Sequence, residues 1–99
     1  MQPERVGKKS MKELIERMKK DGKNVGVIGD WYRKLLDNVK KCTDLKNDGQ
    51  LFVLEPCYAY LDTCYQNISG FIWALDATGY ISEDESEKLR KELLELLHF

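Results

Sequence analysis

Ninety-nine residues, 42% apolar and 33% charged, suffice for one compact core and leave little chain for a second. Seven Gly and two Pro exclude a low-complexity chain, and charged residues break the apolar runs well short of the roughly 20 residues that a bilayer span needs. The three cysteines, Cys42, Cys57 and Cys64, are odd in number and lack close pairing, which argues against a disulfide framework. With His98 as the one histidine they do not make a zinc site either, and no metal or cofactor is expected. The N-terminal MQPERVGKKSMKEL carries positive charge with no apolar run behind it, so no secretory leader is expected and the expected location is cytoplasmic.

Charge is nearly balanced in total but not along the chain. Residues 1–50 carry 13 Lys/Arg against 8 Asp/Glu, whereas residues 51–99 carry 3 against 9. No Lys or Arg occurs from Asn47 to Glu87, a window that holds seven of the ten aromatics. Such a window fits a buried central element, which does not tolerate cations.

A single domain over 1–99 is expected, with residues 1–9 as a loose polar arm. Ser10 with Glu13 reads as a capping box that starts a helix, Met11, Leu14, Ile15 and Met18 form its apolar stripe, and Gly22 stops it. Asn24 is suited to cap a second helix, in which Val25, Ile28, Tyr32, Leu35, Val39 and Cys42 alternate at three- and four-residue spacing to about Thr43. Gly26 and Gly29 interrupt that pattern; they either admit a close neighbour or delay the helix to Asp30. Asn47, Asp48 and Gly49 have turn chemistry, and Leu51 to Leu54 read as a turn of helix because no second β-like segment exists to pair with them.

The long central helix is expected over Pro56 to Thr78, with proline at its first position. Cys57, Leu61, Cys64, Ile68, Phe71 and Leu75 mark its buried face, and Ala59, Thr63, Gly70, Ala74 and Ala77 form a strip where another backbone could approach. Gly79 ends it, and Ser82 with Glu85 caps a final helix whose apolar face is Leu89, Leu93, Leu96 and Leu97. The two make a tight αα-hairpin. Leu94 and Phe99 are left over, either as cover for the end of the core or as part of a self-association surface. The expected fold is therefore all-α, a small four-helix bundle-like domain with a long central helix and a C-terminal αα-hairpin.

Three patterns bear on function. Asp44 to Glu55, DLKNDGQLFVLE, resembles an EF-hand loop at positions 1, 5, 6, 8 and 12, but Lys46 stands at position 3 and Phe52 at position 9. Ala74 to Glu85 resembles a calmodulin-type loop around Gly79, with Ala74 where the first ligand belongs. A degenerate calcium-binding element is thus a third reading. Lys8, Lys9, Lys12, Lys19, Lys20 and Lys23 could face nucleic-acid phosphates, although Glu13, Glu16 and Asp21 are interleaved with them; nucleic-acid binding is the alternative reading.

No phosphate loop and no nucleophile with an identifiable base is present, so no catalytic residue is assigned and a non-enzymatic role is expected. Trp73 falls on the polar side of the central helix, among Asp62, Gln66, Ser69 and Asp76, where a tryptophan is either covered by the N-terminal helices or offered to a partner. The leading expectation is a small protein-binding module, an adaptor or inhibitor. It would use Trp73, Tyr58, Tyr65, Asp62 and Asp76 towards another protein or its own copy.

Overall fold

The computed structural model describes residues 8–97. Most of the expected arm therefore lies outside the described residues, as do His98 and Phe99 and the side chains of Lys8, Lys9 and Leu51. The elements are α1 Lys8–Lys20, α2 Gly26–Asn47, α3 Leu51–Ala77 and α4 Glu83–Leu96, with no strand among the described residues. This is the expected all-α architecture. Its main contact is α2 against α3; α4 packs on α3, and α1 packs on α4.

Each helix contributes the stripe its spacing predicts. Met11, Leu14 and Met18 of α1 meet Ile28, Tyr32, Leu35 and Cys42 of α2, Leu54, Leu61, Cys64, Ile68 and Ile72 of α3, and Leu89 and Leu93 of α4 in one buried cluster. Ile81, between α3 and α4, completes it. Fully burying an aliphatic side chain of this kind contributes about 1.5–3 kcal/mol, so the cluster is the principal source of stability.

All three connections use one device. At the ends of α1, α2 and α3 the glycines Gly22, Gly49 and Gly79 adopt φ of 76°, 72° and 81°, a left-handed conformation that only glycine takes without strain. The amide after each glycine donates back five residues, Lys23 to Met18, Gln50 to Leu45 and Tyr80 to Leu75, while each glycine amide donates back three. These paired bonds satisfy carbonyls that a helix end leaves without partners. At the start of α4 the expected cap is present: the Glu85 amide donates to Ser82 Oγ at 3.1 Å.

The structure corrects several expected boundaries. α1 begins two residues before Ser10, which is therefore its third residue and not its cap; lysine is a good helix former, and the helix runs back through Lys9 and Lys8. Val25 takes the cap position of α2, though Asn24 still serves that end, its Oδ1 accepting from the Gly26 amide at 2.9 Å. The helix is continuous through Gly29, where a Cβ would meet nothing within 4 Å, so close packing does not explain that glycine. It also runs four residues past Thr43.

The largest correction concerns Pro56. It is the sixth residue of α3, which starts at Leu51. The first turn forms because Leu54 joins the core, while Phe52, whose carbonyl would accept the amide that proline lacks, is fully exposed and can be hydrated. The strip of Ala59, Thr63, Gly70, Ala74 and Ala77 also differs from expectation, since all five are exposed and no neighbour lies within 4 Å of a Cβ built at Gly70. The two EF-hand-like windows are mostly helix: Asp44 to Asn47 close α2, Leu51 to Glu55 open α3, and Ala74 to Ala77 close α3.

Polar groups tie the ends together. Arg17 of α1 and Glu85 of α4 pair at 2.9 Å, and the Tyr80 hydroxyl donates to Asp21 while Arg17 and Lys23 lie against its ring. Deeper in, Tyr32 of α2 and Glu92 of α4 are both buried. Burial, and then the Glu92 charge, push the Tyr32 phenol up to about 12. Among the described residues no buried side-chain nitrogen or oxygen lacks a hydrogen-bond partner.

Candidate functional site

The five residues singled out on the central helix share one face. At 100° per residue, Tyr58, Asp62, Tyr65, Trp73 and Asp76 fall within an arc of about 80°, and they extend about 27 Å along α3. The helix presents this stripe because its adjoining flank, Cys57, Leu61, Cys64 and Ile68, is the one that packs into the core. Tyr58 and Asp62 are exposed, Tyr65 and Asp76 half-buried.

Trp73 is 54% exposed. The N-terminal helices do not cover it, and the alternative of an ordinary core tryptophan is set aside. What flanks it is α4. The Arg90 guanidinium carbon lies 4.0 Å from the centre of the indole ring, close enough for a cation–π interaction of about 0.5–1 kcal/mol at an exposed site. Arg90 Nε also donates to Ser86 Oγ, one turn earlier on α4, in a long bond of 3.4 Å.

Around this pair runs an open groove lined by Tyr65 and Trp73 of α3 and by Glu87, Arg90, Lys91 and Leu94 of α4. Leu94, left over in the sequence, is 44% exposed and belongs here. Only Tyr65 and Trp73 of the five expected residues line the groove. Tyr58 and Asp62 continue the stripe towards the N-terminus of α3, and Asp76 lies beyond Trp73. Arg90, Lys91 and Glu87 escaped the sequence reading because α4 alone shows them as solvent-facing charges. The one available signal was that Arg90 is among only three cations in the second half of the chain.

The basic alternative is spread more thinly. Lys12, Lys19, Lys20 and Lys23 are exposed, but Lys19 pairs with Glu16 at 3.6 Å and Lys23 sits over the Tyr80 ring. A shallow depression on α1 is lined by Lys12, Glu13, Glu16, Arg17 and Lys20, with both signs mixed. Lys8 and Lys9 add no side-chain geometry, since theirs lie outside the described residues.

The thiols are core groups for the most part. Cys42 and Cys64 are buried and Cys57 half-buried; burial raises the Cys64 thiol above its ordinary range. Among the described residues no group of three or more His, Cys, Asp or Glu could hold a metal ion, and no helix is long and apolar enough to cross a membrane. Fold and surface together define a small all-α bundle that carries an aromatic and charged groove between its two C-terminal helices. Compared with family models, curated proteins and solved structures, the chain has no significant match in any of the three.

Proposed function

We propose that the protein is a non-enzymatic protein-binding module whose contact surface is the α3–α4 groove, centred on Trp73 and Arg90. The observation that carries this reading is an indole more than half exposed with an arginine lying over its ring. Tryptophan, tyrosine and arginine are the residue types that dominate binding energy at interfaces. Trp73, Tyr65 and Arg90 stand within one groove here. An arginine already resting on the ring loses little rotamer freedom when a partner arrives, which lowers the cost of association.

The partner is another protein or a second copy of the chain. It would insert an apolar side chain beside Trp73 and Leu94, with carboxylates meeting Arg90 and Lys91. Affinity capture of tagged wild type tests this in parallel with Trp73→Ala, Arg90→Ala and a control outside the groove, Val27→Ala on the exposed surface of α2. One protein should be retained by the wild type and the control and lost by both groove variants, with no comparable loss of stability. Sedimentation over a range of concentrations reads out self-association in the same variants. Capture indifferent to Trp73, or retention of nucleic acid that falls steeply with salt, would overturn the proposal.

A further inference from the structure

The first half of α3 presents a second surface, separate from the Trp73 groove. α4 has 14 residues against 27 in α3 and folds back from the C-terminal end of that helix, so that Leu94, near the end of α4, shares the groove with Tyr65. The turns of α3 before Tyr65 are flanked by α2, whose Asn38 and Lys41 form a shallow depression with Pro56, Cys57 and Tyr60. At 100° per residue Phe52, Val53, Pro56 and Tyr60 share an arc of about 100° on α3. All four are exposed, Phe52 completely. Large apolar side chains gathered on the surface of a small domain mark a contact site.

Opposite charges border this patch. Glu55 and Asp62 lie along the edge turned away from α2, and Lys41 lies across the patch on α2, level with Pro56 to Tyr60. All three are exposed, and none forms an ion pair with another described residue. A fitting partner offers an apolar strip with a carboxylate facing Lys41 on one side and a cation facing Glu55 and Asp62 on the other. The patch itself has that layout. Turned about a two-fold axis running along α3, a second copy brings its Lys41 over Glu55 and Asp62 of the first, and its own carboxylates over the first copy's Lys41. A two-fold axis across α3 would instead set Lys41 against Lys41.

We propose that two copies of the chain pair in parallel through this face of α3. Phe52, Val53, Pro56 and Tyr60 form the centre of the contact, and Lys41 with Glu55 and Asp62 forms a charge cluster at each rim. A face of this size buries on the order of 1,000 Å² over both copies, the lower end for a specific interface, so a dissociation constant of about 1–100 μM is expected. Trp73 lies about 20 Å further along α3 than Tyr60. The contact therefore leaves that groove free, and a parallel dimer carries two of them at the same end. The pairing holds whether or not the groove takes a partner.

Sedimentation velocity of the full chain, from the low micromolar to the millimolar range, tests the pairing. The mass should rise from that of one chain to that of two. Phe52→Ser should raise the dissociation constant about tenfold or more. Lys41→Glu should weaken pairing by a similar factor, since symmetry makes the like-charge contact twice. Both positions are exposed, and circular dichroism checks that the helices are kept. The triple variant Lys41→Glu, Glu55→Lys, Asp62→Lys should pair about as well as the wild type, because the axis along α3 again meets each charge with its opposite. Trp73→Ala should leave the dimer unchanged, which separates this result from the fate of the groove. A chain monomeric throughout, a dimer indifferent to Phe52, a dimer lost with Trp73, or a triple variant as weak as Lys41→Glu would each overturn the proposal. So would a monomer that binds a different protein through Phe52.

Discussion

Replacing Pro56 with alanine is expected to stabilise the protein, contrary to the usual loss on mutating a helix-start proline. In the structure Pro56 is the sixth residue of α3, beyond the three first helical positions whose amides have no intrahelical partner. It therefore withholds the amide that would donate to the Phe52 carbonyl, and its ring crowds that carbonyl. Proline costs a helix interior about 3 kcal/mol relative to alanine. One restored hydrogen bond accounts for about 1 kcal/mol of that. Because the site is on the second turn and the carbonyl is hydrated, we expect a net gain of about 1–3 kcal/mol. For a domain of this size that is a rise of about 5 °C or more in melting temperature. Urea denaturation with an unchanged slope would give the free energy directly, and hydrogen exchange should show a protected amide at position 56. If α3 instead began at Pro56, proline would sit where its missing amide costs nothing. A Pro56→Ala variant that is neutral or less stable, with an unprotected amide, would refute the longer helix.

Other outcomes follow from the same geometry. Gly29→Ala and Gly70→Ala should each add about 0.5–1 kcal/mol in denaturant titrations, since both are helix-interior glycines whose Cβ would enter open space; a loss at Gly70 would mean that a partner packs on that face. Leu93→Ala should cost about 2–5 kcal/mol, because Leu93 is wholly buried, enough to leave a measurable unfolded fraction in the absence of denaturant. Tyr32 makes stability depend on alkaline pH: its phenol ionises near 10 when unfolded and at about 12 when folded. Its contribution is full below pH 10 and lost as pH rises through 12, about 2–3 kcal/mol in total. Tyr32→Phe should flatten that part of the stability profile, and an unchanged slope would remove Tyr32 as its cause.

The parts of the fold that periodicity could show were those in which one helix buries one stripe. Ile28, Tyr32, Leu35 and Cys42, or Leu61, Cys64 and Ile68, repeat at the helical spacing because all of them face the one buried core. Stops at Gly22 and Gly79 and the cap at Ser82 were likewise local chemistry. Pro56 misled because its favoured place at a helix start is a tendency of short segments, and burial of Leu54 outweighed it. Buried Ser86 and Glu92 were not foreseeable from α4: what makes Glu92 an interior residue is Tyr32, sixty positions away in sequence. The candidate site shows the same divide. Trp73 stood out by its position on one helix, but Arg90, which lies over its ring, becomes its neighbour only when α4 folds back.

The packing of α1 on α4 has a consequence for the order of folding. The contacts between α2 and α3 and between α3 and α4 join neighbours along the chain through turns of a few residues, so each can form by a short loop closure. α1 instead makes its strongest contact with α4, the helix farthest from it in sequence. Its ion pair, Arg17 with Glu85, spans 68 positions, and Glu85 is in place only after α3 and α4 have closed. Docking of α1 should therefore be the last event in folding and the first undone. In native-state hydrogen exchange the amides of α1 should open as a separate cooperative unit, below the free energy that governs the middle of α3.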